Sequence, residues 1–191
     1  MQDSDEIIEE IAGHYAEIIR LIGEDPEREG LKDTPMRAAK AMYYLTRGYR
    51  QNISDVIHGA MFSAPSSGLV VVRDIEFYSL CEHHILPFFG TVSVGYLPGE
   101  KIVGLSKVAR IVDVFARRLQ VQERFAEQLC TELYERLDAK GVMVYCRARH
   151  LCMQMRGVQK QESSTVSISS CGVFKTDPML RDEFMMSISE R

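Results

Sequence analysis

Apolar residues recur at helical spacing near the start of the chain, and glutamates fill the positions between them. The apolar set is Ile7, Ile8, Ile11, Tyr15, Ile18, Ile19 and Ile22. This period is typical of an amphipathic helix that buries one stripe of side chains. After a loop from Asp25 to Gly30, Thr34 and Pro35 supply a capping hydroxyl and a first-turn proline, which predict the start of a second helix.

Glycine, proline and serine are frequent between residues 50 and 68, and this composition predicts a linker. The chain has 191 residues, a length that suits one domain with an appended arm. We therefore expect an N-terminal helical arm over residues 1–60 and the main domain over residues 61–191.

From Leu69 onward the hydrophobic period changes to two, which indicates strands. Alternation over residues 74–77 and again over residues 91–96 predicts two strands, and Pro98-Gly99 predicts a turn after the second. Residues 101–105 are then expected to return as the hairpin partner of that second strand. Residues 142–152 and 164–174 are expected to form two further strands.

Two consecutive helices are predicted between the strand pairs. Ser106 is expected to cap the first, whose apolar stripe is Val108, Ile111, Val112, Phe115 and Leu119. The second has the stripe Val121, Phe125, Leu129, Leu133 and Leu137, and Gly141 is expected to end it. Asp177-Pro178 predicts a final helix. This order favours an α+β class, with an antiparallel sheet covered on one face by two consecutive helices.

The composition is that of an ordinary globular protein, with 46% hydrophobic and 26% charged residues. A formal net charge of -4 argues against nucleic-acid binding through bulk electrostatics. The sequence shows no transmembrane run and no secretory signal, so no membrane partner is expected. Five cysteines is an odd count, and free thiols suit a reducing cytoplasm.

Two clusters carry thiol and imidazole groups, the ligands that Zn²⁺ prefers. Cys81 and His84 are three apart in a predicted turn, beside His83. His150 and Cys152 follow a strand pattern, and two residues that are two apart on a strand share a face. Three ligands with an open fourth position are typical of a catalytic zinc site. A structural zinc site, or cysteines that are merely core residues, remain alternatives at this point.

Basic residues near one predicted helix start suggest an anion site. Ser106, Lys107 and Arg110 lie in the first turn, where backbone N–H groups attract phosphate and where cations oppose the helix dipole. Arg156, together with the pair Arg37 and Lys40 on the second helix, could add to the same site, although each alone is typical of surface charge. The combination favours a polyphosphate ligand.

Gln122 and Glu123 open the second of the two consecutive helices. A carboxylate there is stabilised by the helix dipole, and on sequence alone this is the favoured explanation. A carboxylate can also accept from N1–H and the N2 amino group of guanine together, which adenine does not offer. A buried Glu123 would then select guanine over adenine, with Gln122 as a supplementary amide.

Four segments together resemble the GTP cyclohydrolase I family, and the resemblance runs from about Thr34 to the C-terminus. The segments are Ser-Leu-Cys-Glu-His-His ending at His84, Gly-Leu-Ser-Lys-x-x-Arg ending at Arg110, Arg-Leu-Gln-Val-Gln-Glu-Arg ending at Arg124, and His-Leu-Cys-Met-x-Met-Arg-Gly ending at Gly157. Several long motifs in the right order make a chance match implausible. The resemblance implies the tunnelling fold and the conversion of GTP and water to formate and 7,8-dihydroneopterin triphosphate.

The resemblance also implies roles for individual residues. Cys81, His84 and Cys152 correspond to zinc ligands, and His83 and His150 correspond to acid/base histidines, with Ser106 placed in the same catalytic set. Gln122 and Glu123 correspond to the guanine-binding pair. Six residues correspond to those that contact ribose and triphosphate: Ser106, Lys107, Arg110, Arg156, Arg37 and Lys40.

Assembly is a further implication of the resemblance. The family forms a toroidal homodecamer with active sites between subunits, and allosteric regulation is left open. Two other functions stay open on sequence alone. One is a binding or assembly module with structural zinc and no turnover. The other is a zinc nucleobase deaminase, which the lack of a Cys-x-x-Cys pair and the several phosphate-binding candidates disfavour.

Overall fold

The computed structural model describes residues 4–63 and 68–189 and divides the chain into two compact units, Met1–Arg47 and Gly48–Arg191. In the N-terminal unit, helix α1 (Ser4–Leu21) packs against helix α2 (Thr34–Leu45). Both helices were expected from the sequence. Asp33, and not Thr34, is the N-cap of α2, and its side chain makes no capping hydrogen bond.

The linker predicted over residues 50–68 is wrong where the structure describes it. A 3₁₀ turn (Arg47–Arg50) leads to helix α3 (Ile53–Ile57), whose first turn is capped by Asn52 accepting from the Ser54 N–H at 2.9 Å. The isoleucines at both ends of α3 are 8% exposed and join the main core. Residues 64–67 lie outside the described residues. The division between the two compact units falls between Arg47 and Gly48, earlier in the chain than residue 60. A functional boundary at 60/61 stays a prediction.

A five-stranded sheet organises the second unit. Its strands are β2 (Val70–Cys81), β3 (Pro87–Leu97), β5 (Leu119–Gln120), β6 (Gly141–His150) and β7 (Thr165–Gly172). The order is β5-β2-β3-β6-β7, and every pairing is antiparallel except the two-residue parallel pairing of β5 with β2.

The hairpin predicted after Pro98-Gly99 is wrong. Strand β4 (Lys101–Val103) pairs instead with strand β1 (Met61–Ser63) in a separate two-stranded sheet. The reason is that β2 and β6 already occupy both edges of β3, so no hydrogen-bonding edge is left for β4.

Two consecutive helices, α4 (Leu105–Ala116) and α5 (Gln122–Leu137), cover one face of the sheet as expected. Their stripes supply fully buried side chains to the core, among them Val108, Ile111, Val112, Phe125, Leu129 and Leu133. The α+β class and the helix-on-sheet arrangement of the tunnelling fold are confirmed. None of the described helices is long and apolar enough to cross a membrane.

Helix α7 (Pro178–Ser189) packs on the opposite face of the sheet. Its first turn is capped by Asp177, whose carboxylate accepts from the N–H groups of Met179 and Leu180. Phe184 is fully buried and lies over Gly95, where an added Cβ would approach the phenyl ring to 2.4 Å. A side chain at that position would therefore force the Phe184 ring to shift.

Strand β6 ends at His150, and Cys152 lies in a short helical turn, α6 (Leu151–Gln154). The expectation that His150 and Cys152 share a strand face is therefore wrong. Phe88 is the register partner of His150, and β3 begins just before it at Pro87. Pro87, the first residue of β3, lies opposite Leu151 in this register but does not pair with it, and the chain leaves the sheet at Leu151.

Candidate metal centre

A tight turn from Cys81 to Leu86 presents the first two candidate ligands. The Cys81 N–H donates to the Leu86 carbonyl at 2.8 Å, and the Cys81 carbonyl accepts from the N–H groups of His84 and Ile85. Ile85 has φ +55°, a left-handed conformation that is costly for a β-branched residue. The chain therefore reverses within four residues, and Cys81 and His84 come to one side.

The side chains of Cys81, His84 and Cys152 form a cluster whose candidate ligand atoms all lie within 4.8 Å of one another. The Cys81 sulfur is 3.8 Å from Nδ1 of His84. Cys81 is buried, Cys152 half-buried and His84 exposed. Two thiols and one imidazole are a donor set that fits a borderline-soft divalent metal, so the group is able to hold such an ion.

The electrostatics around Cys152 agree with a metal site. Burial raises the pKa of the Cys152 thiol, and the adjacent Cys81 acts in the same direction, while the positive charge of Arg156 opposes both. The Cys152 thiol therefore resists ionisation without a counter-charge. A bound cation supplies that charge and favours the thiolate form that binds metal.

His83 lies at the open side of this cluster. Its Nδ1 is 3.8 Å from the Cys81 sulfur, and its Nε2 is 3.9 Å from a carboxylate oxygen of Glu82. The rings of His83 and His84 are 6.1 Å apart at their centroids. The exposed imidazole of His83 is therefore next to the metal ligands and open to a ligand from solvent.

An ion pair between Glu82 and Arg124 ties the turn to helix α5, and the sequence analysis missed it. Arg124 Nη2 contacts the Glu82 carboxylate, and the Glu82 N–H donates to the Gln120 carbonyl at 3.0 Å. The two charged residues are 42 positions apart, so no local pattern could have linked them. The pair anchors the residue that lies between Cys81 and His83.

His150 stacks on Phe88, with ring centroids 4.7 Å apart and planes 2° from parallel. Its Nε2 lies 2.8 Å from the Gln122 side-chain oxygen. Burial lowers the pKa of His150, and the negative charge of Glu123 acts in the opposite direction. The structure therefore brings His150 and the start of α5 together.

The two residues predicted to recognise guanine have different surroundings. Glu123 is exposed in the first turn of α5. Gln122 is 1% exposed, and its amide nitrogen donates to the carbonyls of Cys146 at 3.2 Å and Thr165 at 3.1 Å. Contacts of either side chain with a base stay a prediction.

The basic residues of the predicted phosphate site fall in both units. Gly104 is the N-cap of α4, so Ser106 lies inside the first turn and the prediction that it caps the helix is wrong. Ser106 and Arg110 are exposed there, with Lys107 half-buried between them. Arg156 is exposed and follows α6.

In the N-terminal unit, Arg37 and Lys40 are exposed on α2. Arg37 pairs with Asp33 at 3.1 Å. Both cations therefore face solvent on the helix where the sequence placed them, and their contact with phosphate stays a prediction.

These features define a class: an α+β protein with a Cys-His-Cys metal-binding group at one end of its sheet and further histidines beside it. Comparison with known proteins gives the family. The model of the GTP cyclohydrolase I family matches residues 11–189, and the chain belongs to that family.

Relatives from distant organisms agree. The chain is 53% identical over 180 residues to GTP cyclohydrolase 1 of Alkalilimnicola ehrlichii, covering 94% of this chain and 97% of the relative. It is 48% identical over 187 residues to GTP cyclohydrolase 1 of Rattus norvegicus, covering 98% and 78%. A solved structure of an apo archaeosine synthase QueF-Like is similar with a TM-score of 0.45 and 18% identity, over 56% of this chain and 96% of that one. The family relationship makes the chain a hydrolase, as expected.

Proposed function

We propose that this chain converts GTP and water to 7,8-dihydroneopterin triphosphate and releases formate. Membership in the GTP cyclohydrolase I family supports the substrate and the product. The observation that carries the proposal is the cluster of Cys81, His84 and Cys152, with His83 beside it and His150 two residues before Cys152 in the chain. Hydrolytic opening of a purine ring needs an activated water and groups that move protons, and this cluster offers candidates for both.

We propose Zn²⁺ as the metal, held by Cys81, His84 and Cys152. The sulfur and nitrogen donors support this choice, and three protein ligands leave a position open. When bound, zinc acts as a Lewis acid and lowers the pKa of a water ligand to about 7. Cys171 is half-buried and packs against the main core, which supports its exclusion from the ligand set.

In this proposal His83 and His150 carry the proton transfers. Protonation of N7 of the purine makes C8 more electrophilic, and imidazole groups titrate near the pH at which this is needed. Ring opening, loss of formate and reclosure each require a proton to be taken up or given away. Two imidazoles near one metal group allow one to donate while the other accepts.

Binding of the substrate is proposed to use charge at both ends of GTP. Glu123 accepts from N1–H and the N2 amino group of guanine, and its exposed carboxylate near His150 supports this. Ser106, Lys107, Arg110 and Arg156 contact ribose and triphosphate, and Arg37 and Lys40 contribute from the N-terminal unit. Remote phosphate binding then supplies energy that holds C8 in place.

We further propose that the protein works as a cytoplasmic homodecamer whose active sites lie between subunits. Exposed apolar side chains on the sheet support assembly, among them Tyr78, Val166 and Ile168, which are 49%, 47% and 53% exposed. The five free cysteines agree with a reducing compartment. Mass measurement of the purified protein in solution tests the subunit number.

Turnover of GTP by the zinc-loaded protein tests the function. Formate and a pterin that becomes fluorescent after oxidation are the expected products. His83→Ala and His150→Ala should each lower kcat by about 10²–10⁴-fold, the usual contribution of acid–base groups. Absence of both products from fully loaded protein would exclude the proposal, and release of ammonia in place of formate would indicate a deaminase.

A further inference from the structure

The amide of Gln122 has every polar atom engaged, although the side chain is 1% exposed. Its nitrogen donates to two main-chain carbonyls, those of Cys146 on β6 and Thr165 on β7. Its oxygen faces Nε2 of His150 at 2.8 Å. The side chain of Gln122 thus bridges two strands and one imidazole.

Only one orientation of this amide satisfies its partners. The two carbonyl oxygens can accept but cannot donate, so the NH₂ group must face them. The reverse orientation would place the amide oxygen against two acceptors and leave buried polar groups unpaired, which is destabilising. The amide oxygen of Gln122 is therefore directed at His150 by the strands and not by the histidine.

This orientation determines which nitrogen of His150 carries the proton in the neutral ring. An amide oxygen only accepts, so Nε2 of His150 must be the donor. In the neutral imidazole the lone pair then lies on Nδ1. Stacking on the fully buried ring of Phe88 limits rotation of the imidazole, so the two contacts together hold both its plane and its tautomer.

We propose that Gln122 is a positioning residue that keeps His150 in the Nε2-protonated tautomer, so that Nδ1 is the atom that exchanges protons with the substrate. This inference rests on the proposed acid/base role of His150. In this inference Gln122 does not contact guanine directly. It affects turnover through the imidazole of His150.

The variant Gln122→Met separates the two roles, because methionine has a similar shape and no hydrogen-bonding amide. A positioning role predicts a fall in kcat of at least about tenfold, part of the roughly 10²–10⁴-fold that acid–base catalysis contributes. It also predicts a KM for GTP within about threefold of the wild type. A guanine contact predicts the opposite, a raised KM with kcat retained, and that result would overturn the inference.

A double-mutant cycle with His150→Ala sharpens the test. If Gln122 acts only through His150, adding Gln122→Met to His150→Ala leaves the residual single-turnover rate unchanged. Gln120→Met is the matched control, since Gln120 is 2% exposed and its amide also donates twice, to the Phe115 carbonyl and to Gln128. Gln120→Met should change the single-turnover rate by the same factor in the wild-type background and in the His150→Ala background. An equal factor for Gln122→Met in both backgrounds contradicts the proposal.

Nitrogen NMR of the zinc-loaded wild type tests the tautomer without any loss of stability. Protein labelled with ¹⁵N-histidine is measured at about pH 8.5, well above the ordinary imidazole pKa of about 6.5. His150→Asn assigns the signals. Nε2 of His150 should resonate as a protonated nitrogen and Nδ1 as an unprotonated one, and the reverse pattern overturns the inference. Wild-type turnover by His150→Ala would instead exclude the proposed acid/base role of His150. That result would leave the assignment of its tautomer intact.

Discussion

Phe88 and His150 are register partners on neighbouring strands, and their rings lie 4.7 Å apart in parallel planes. Phe88 is fully buried and also meets Phe77 edge to face, with centroids 5.8 Å apart. Phe77 in turn contacts Phe125 of α5 at 4.9 Å. The hydrophobic core therefore extends directly to one candidate acid/base group, and changes in the core should be felt in catalysis.

Phe88→Leu should lower kcat because it removes the surface on which the His150 ring rests. Phe77→Leu is the matched control, since Phe77 is 1% exposed and belongs to the same aromatic group. Both variants should lose roughly 1–3 kcal/mol of unfolding free energy in urea. Only Phe88→Leu should lower kcat beyond this common effect, and equal kcat values for the two variants would argue against a role for the stack.

Glu123→Gln should weaken recognition of GTP, because the amide turns an NH₂ group toward one of the two guanine donors. Loss of a charge-assisted hydrogen bond predicts a rise in KM of about tenfold or more, equivalent to roughly 1.5–3 kcal/mol. Glu127→Gln is the control, since this exposed carboxylate lies one turn later on the same helix. Steady-state kinetics with GTP distinguish the two variants. Equal KM values would indicate that Glu123 interacts only with the helix dipole.

Removal of the metal should expose one thiol selectively. Cys152 and Cys171 are both half-buried, but only Cys152 belongs to the metal-binding group. Chelation should therefore increase alkylation of Cys152 and leave Cys171 unchanged, as measured by peptide mass mapping. Cys130 and Cys146 are fully buried and should not react in either state. Unchanged labelling of Cys152 after verified zinc removal would exclude it as a ligand.

Arg124→Gln should weaken retention of the metal, because the ion pair with Glu82 anchors the turn that carries Cys81 and His84. Groups that orient metal ligands typically contribute about 10–100-fold to affinity. Arg136→Gln is the control, since Arg136 forms an exposed ion pair with Glu132 on the same helix. Both variants should change unfolding free energy by about 1 kcal/mol or less. Chelator competition should separate them, and equal zinc retention would show that the anchor is dispensable.

Alkaline pH should destabilise the protein through Cys146. Burial raises the pKa of this thiol to about 12 from an ordinary value of 9.0, with Glu123 acting in the same direction. Between about pH 9 and 12 the unfolded chain loses a proton that the folded chain keeps, so stability falls as pH rises. One pKa unit is about 1.4 kcal/mol, so the loss reaches at most about 4 kcal/mol.

Cys146→Ala tests this linkage by urea unfolding from about pH 8 to pH 11. The variant should be less stable than the wild type at pH 8, and the difference should shrink as pH rises. Val144→Ala is the control, since Val144 is another fully buried position on β6 and has no ionisable group. Its difference from the wild type should stay constant. Parallel curves for Cys146→Ala would contradict the raised pKa.

Much of the fold could be predicted from local sequence. The stripe residues that lie within α4 and α5 are buried as their 3.6-residue period requires, because that period places them on one face of the helix. Leu119 and Val121, which the prediction added to the stripes, lie outside both helices and are half-buried. The turn at Cys81 and His84 was also predicted, since residues so close in sequence can meet without help from the rest of the chain. The candidate metal ligands were recognised from their chemistry alone.

Contacts between residues distant in sequence could not be predicted from local sequence patterns. The partner of β4, the end of β6 at His150 and the ion pair of Glu82 with Arg124 all depend on which edges and side chains remain unoccupied after the sheet forms. Hydrogen-bond direction is equally a tertiary property, because Gln122 is oriented by carbonyls on two strands far along the chain. The sequence by itself determined the donor atoms and the helical faces. Only the tertiary structure decided which donors meet and which nitrogen of His150 holds its proton, because those outcomes depend on contacts between residues distant in sequence.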